Sequence, residues 1–156
     1  MTDLTIPNFG ELLAEHLGGV PQEAYPYLLS QLERTAAERY RGWAEAVPAH
    51  REGILRCAAS EDEIADRVEA MFPPTDAHRA LVAEIIPRAK ATYYSVFEGL
   101  TPVEQMTIQA NAERQGANAW QNLKALYPDN AAELDALTAL EVTSADYLDE
   151  LLPALT

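Results

Sequence analysis

A single cysteine, Cys57, stands in the chain, so no internal disulfide can form and no thiolate cluster can hold a metal. It lies in the helical run ILRCAAS, where a small buried thiol is the expectation. Basic residues are also scarce. Eleven Lys and Arg stand against 25 Asp and Glu, a formal charge of −14, and the resulting field repels phosphate backbones and anionic lipid. Nucleic acid and membrane are therefore poor partners. No apolar run approaches the roughly 20 residues that cross a bilayer. The start MTDLTIPNFGELL has no basic region followed by an apolar core, so a cytoplasmic protein is expected. What is present is an ordinary globular balance, 48% apolar and 23% charged over 156 residues, enough for one domain that folds alone.

Helix signals run throughout and no strand pattern stands out. Asn8 followed by Glu11 reads as a capping box for a short helix that Gly18 and Gly19 close, giving an N-terminal arm over residues 1–20. From about Gln22 to Ala46, Tyr25, Leu28, Leu29, Leu32, Ala36, Tyr40 and Trp43 recur at spacings of three and four, one buried face. Pro48 suits a first helical turn, and Ile54 to Phe72 carry a second helix that Pro73 and Pro74 stop. The short connection makes these two antiparallel. A third helix is expected from Thr75 and Asp76 to Glu98, bent near Pro87 and stopped by Gly99. Thr101 and Glu104 form a capping box around Pro102 for a fourth, running to about Leu126. The tail, residues 129–156, reads as two short helices near Asn130–Leu140 and Ala145–Leu151, covering a bundle end or a neighbouring subunit.

Shifting the chain by 54 residues lays helices three and four on one and two: Arg34 on Arg88, Ala37 on Ala91, Tyr40 on Tyr94, Pro48 on Pro102, Ile54 on Ile108, Ala58 on Ala112 and Ala65 on Ala119. Such a register suits a helix pair duplicated into a bundle with core residues of about 22–127.

With Glu33 seven residues before Tyr40, and Glu61-Asp62-Glu63-Ile64 on the next helix, the first half resembles the ferritin-like superfamily, rubrerythrin being the nearest pattern. That resemblance implies an all-α, up-down four-helix bundle of two helix-pair repeats, with short accessory helices at both ends. It also implies a di-iron site of one Glu on the first helix of each pair and Glu-x-x-His on the second. Glu33 and Glu61 match it, while Ile64 replaces the histidine. By the 54-residue register the remaining positions fall on Pro87, Gln115 and Asn118, so most of the ligand set is lost. A slip of one turn would bring in Glu38, Glu84 or Glu113, above all Glu113.

Two metal ions need four carboxylates and two imidazoles, which this set does not supply. One hard cation on Glu33, Glu61, Gln115 and Asn118 remains open, with iron or manganese as the metal, although no cofactor is the primary expectation. Without a cation, Glu33 and Glu61 need protonation or hydrogen bonds from Gln115, Asn118, Tyr40 or Tyr94. That could be a satisfied polar network or an acid-base pair assisted by Tyr94. His16, His50 and His78 lie on separate segments and form no metal motif. Trp43, Trp120, Tyr93, Tyr94, Phe97 and Tyr127 read as core before they read as the lining of a small apolar ligand's cavity. Asp62 and Glu63 read as solvated charges.

Three functions follow as expectations. The first is a ferritin-like binding or subunit-interaction module, a homodimer or a partner-binding protein, without iron oxidation. The second is an enzyme reusing the cavity with Glu33 or Glu61 as acid or base. The third is a metal-dependent oxidase with a shifted ligand set.

Overall fold

A computed structural model of the chain describes residues 4–156. Among them are six α-helices, a few short 3-10 segments and no strand. The helices are α1 (Phe9–Ala14), α2 (Tyr25–Ala46), α3 (Arg51–Met71), α4 (Asp76–Ser95), α5 (Pro102–Leu123) and α6 (Ala131–Leu151). They divide into two compact units, one of residues Gly10–Val96 and one of Phe97–Thr156 joined by the segment ending at Phe9.

In the Gly10–Val96 unit, α2 begins with Pro26 in its first turn, where the missing N–H costs no helical bond. It ends at Val47 and passes through the 3-10 turn Pro48–His50 into α3, which packs back along it. The chain leaves α3 at Phe72 just before two prolines, and Thr75 caps α4 by accepting from the His78 N–H. α4 continues through Pro87, whose exposed position spares its ring from the packed face, and it lies against α2. Leu13, Val20, Ala24, Leu28 and Leu32 meet Val82, Ile85 and Ala89 in one apolar cluster. Gly19 closes the arm at φ 80°, a left-handed position that side chains resist.

In the other unit, Gly99 takes φ 75° as the left-handed stop expected before α5. Thr101 and Glu104 then form the expected capping box. α5 packs along α6 through the 3-10 turn Pro128–Asn130. The tail is thus one helix of 21 residues in place of two short ones. Thr143 and Ser144 interrupt the sequence pattern, but the Thr143 hydroxyl donates to the Ala139 carbonyl at 2.8 Å and Ser144 is buried, so packing overrides weak propensity.

The 54-residue register is likewise replaced. α4 belongs to the unit of α2 and α3, and α5 pairs with α6. The matching helix pairs are α2–α3 and α5–α6, of 22 and 21 residues each. Their connections superpose in backbone angles: Val47 has φ −127° and ψ 67°, and Tyr127 has φ −131° and ψ 65°. His50 and Asn130, before the second helices, have φ −120° and −102°. A proline opens each turn. An offset of 80 residues carries Pro48 onto Pro128, and with it Glu33 onto Glu113, Arg34 onto Arg114, Ala37 onto Ala117, Glu61 onto Glu141, Ala65 onto Ala145 and Asp66 onto Asp146. The unit that recurs in the structure is a helix pair with a proline turn.

Candidate functional site: paired carboxylates

Within α2–α3, the spacing of the apolar residues turns Leu32, Ala36, Tyr40 and Trp43 inward, and Glu33 rides at the edge of that face, half-buried. On α3, Glu61 shares the inner face with Cys57, Ala58, Ile64 and Ala65 and is only 1% exposed. The carboxylate oxygens of Glu33 and Glu61 lie within 4.8 Å of each other. Outside this pair, Arg34 bonds Asp66 at 2.8 Å and Glu69 at 3.1 Å, and Arg41 bonds Asp62. Asp62 is half-buried and Glu63 exposed, both on the solvent side of Glu61.

The α5–α6 pair repeats the pattern. Glu113 and Glu141 are buried, 2% and 1% exposed, and Arg114 bonds Asp146 and Asp149 outside them. Glu113 accepts from the Gln109 side-chain amide at 2.9 Å. Glu141 accepts the Trp120 indole N–H at 2.9 Å. Trp120, 1% exposed in the core, occupies the position that Tyr40 holds in the other pair.

The other positions named from the sequence fall elsewhere. Gln115 clasps the N-terminal segment: its oxygen accepts from Phe9 N–H at 2.9 Å, and its amide donates to the Pro7 carbonyl at 2.8 Å. Asn118 is exposed, as are Pro87, Glu84 and Glu38. Pro87 and Gln115 entered through the 54-residue register. In the helix-pair register Glu113 takes the place of Glu33, and Ile64, which is buried, faces the same position as Ser144. Tyr94 lies on the rim of its unit, donating to the Thr35 carbonyl at 3.2 Å and to Glu38 at 3.3 Å. Arg39 and Lys90 stand over its ring.

Electrostatics separate these groups. Glu38 is held below its usual range by the hydrogen bond from Lys90, which outweighs its partial burial. Tyr94 is pushed up by burial, with Arg39 opposing. Tyr93 is pushed up strongly, first by burial and then by the charge of Glu33. Both hydroxyls therefore keep their protons at neutral pH. His16 bonds the Thr92 hydroxyl at 2.9 Å, and Tyr40 meets Trp43 edge-on with centroids 5.2 Å apart.

The sequence reading missed Glu141. The signal lay in the repeated pattern of Glu-Arg on one helix, a proline turn, and Glu with Asp five residues later on the next. No helix among the described residues is long and apolar enough to cross a membrane. No family model, curated protein or solved structure matches the chain.

Proposed function

We propose that this is a ferritin-like protein with a shifted, all-carboxylate ligand set, which binds a hard cation such as manganese or iron through its interior glutamates. The observation that carries this reading is the Glu33–Glu61 pair, with oxygens within 4.8 Å. Two ionised carboxylates at that distance repel by about 3 kcal/mol at an effective dielectric of about 20. A divalent cation between them reverses the sign of that interaction, and oxygen donors suit manganese, magnesium or calcium as well as iron. The recurrence of interior glutamates at the same two positions of the α5–α6 pair supports a role for both.

Ile64 and Ser144 stand where the resemblance expects histidines, so the donor set offers oxygen without imidazole. Such a set favours holding a cation over tuning a metal pair for oxygen activation. A second reading, acid-base catalysis, draws on the same pair, because two close carboxylates tend to share one proton and raise one affinity for it.

The test is elemental mass spectrometry on protein purified without chelator, with Glu33→Gln and Glu61→Gln beside it. Stoichiometric manganese or iron in the parent and loss in both variants is expected. A metal-free parent that also fails to take up manganese on titration overturns the reading and returns the choice to a metal-free binding module or an acid-base enzyme.

A further inference from the structure

One residue further round each helix from Glu33 and Glu61, charged side chains bridge α2 and α3. Arg34, the neighbour of Glu33, lies 3.6 Å from one carboxylate oxygen of Asp62, the neighbour of Glu61, and bonds Asp66 and Glu69 on the following turns. Arg41, two turns along α2 on the same side as Arg34, bonds the other oxygen of Asp62. Asp62 is thus gripped through both oxygens by two arginines of the opposite helix. The inner face beside it does little to fix the helices lengthwise. Ala36 and Ala37 of α2 and Cys57, Ala58 and Ala65 of α3 are buried there, and small side chains make shallow ridges and grooves. A network of ion pairs, unlike an isolated exposed pair, can hold such a register. In the α5–α6 pair Arg114, Asp146 and Asp149 repeat Arg34, Asp66 and Glu69, but Gln121 stands for Arg41 and Val142 for Asp62. The grip on Asp62 belongs to the α2–α3 pair.

We infer that Asp62, held by Arg34 and Arg41, is a positioning residue that fixes α3 against α2 so that Glu33 and Glu61 present their oxygens to one cation. This rests on the metal-binding reading above. The two ligands sit on different helices, so a slip of α3 by one residue moves Glu61 by about 1.5 Å relative to Glu33. Cation–oxygen distances of about 2.0–2.6 Å tolerate little of that. Asp62 acts through the helix that carries Glu61, not as a ligand. The signs of the charges separate this role from a simple field effect. Acting through its field alone, Arg41 would oppose a cation and Asp62 would attract one, so their removal would have opposite effects. A positioning role predicts a loss of affinity from both.

Arg41→Gln and Asp62→Val introduce the residue types that the α5–α6 pair carries at these positions, and the two side chains are 51% and 33% exposed, so both variants are expected to fold. Mn²⁺ affinity is measured by titration calorimetry on the parent, each variant and the double variant. Each single substitution is expected to weaken Mn²⁺ binding by about tenfold, the low end of the loss when a ligand's orienting partner is removed. The double variant should bind no more weakly than Asp62→Val, because both substitutions break the same contact. The melting temperature should move little in all three, since exposed ion pairs contribute little to stability. Unchanged or tighter Mn²⁺ binding in Arg41→Gln, or opposite effects that cancel in the double variant, overturns the assignment and leaves only the field of the charges. A parent that binds no Mn²⁺ overturns the metal reading and takes the positioning role with it. Should Asp62→Val fail to fold, Asp62→Asn removes the charge at the same shape. The same loss is then expected, and full affinity overturns the assignment.

Discussion

The two helix pairs share lengths, turn geometry and the placement of two glutamates, yet they hold those glutamates differently. In α2–α3 the carboxylates are brought within 4.8 Å of each other, one half-buried and one fully buried. In α5–α6 both are buried, and Gln109 and Trp120 each donate to one of them. The difference teaches that the two pairs share their charged positions while the residues around them differ: Ala36 against Gly116, Tyr40 against Trp120, Ile64 against Ser144. The supports on the α2–α3 side include α4, and α4 has no counterpart in the other unit.

The largest test of equivalence is in the cores. Ile54 and Leu134 occupy matching positions and are both fully buried. Ile54→Ala and Leu134→Ala should each cost about 2–5 kcal/mol in urea unfolding, by lost transfer energy plus the cavity left behind. A silent variant in either pair would break the structural equivalence. Next in size is Trp120→Phe. Removing the indole N–H leaves a buried carboxylate oxygen short of a donor, a loss of about 1–3 kcal/mol at neutral pH. A loss well below about 1 kcal/mol would assign Trp120 to packing alone.

Smaller effects lie on the surface. Arg34 faces Asp62, Asp66 and Glu69, and Arg114 faces Asp146 and Asp149, with both arginine side chains at least a third exposed. Arg34→Ala and Arg114→Ala should cost about 0.2–1 kcal/mol each and become equal within error in high salt. A loss several times larger in one pair would show that its network carries more than a solvated ion pair does.

The smallest effect is peculiar to the unit with α4. Glu38 accepts from Lys90 at 2.6 Å and is held below its ordinary value of 4.5 chiefly by that bond. A lowered carboxylate contributes stability that is present above 4.5 and lost as pH falls through its folded value. Lys90→Met should raise the Glu38 titration midpoint, read by NMR of its carboxyl carbon, and flatten this part of the acid-side loss. The exposure of both groups makes the change in unfolding midpoint slight and salt-sensitive. An unmoved Glu38 midpoint would remove the bond from the account.

Helix positions were legible because their signals are local. The Thr101–Glu104 box, Gly99 at positive φ and the proline turns each act within a few residues, and each appears where the residue types require it. Glu33 and Glu61 entered as candidates through the resemblance to the ferritin-like pattern, and the structure places Glu61 on, and Glu33 beside, an apolar helix face. The 54-residue register misled because alanines, prolines and tyrosines recur in any set of amphipathic helices. Without knowledge of which helix packs on which, those identities drew in Pro87 and Gln115 and passed over Glu141.

The sequence by itself determined an all-helical chain, most of the helix starts, and one short proline turn, at Pro48, that makes α2 and α3 antiparallel. Only the tertiary structure decided that α5 takes α6 as its partner. It also decided that Glu61, Glu113 and Glu141 are buried while Glu38, Glu63 and Glu84 meet solvent. The reason is physical: caps and turns are settled by neighbours in the chain, whereas the burial of a carboxylate depends on which distant surface covers it and which donors that surface brings.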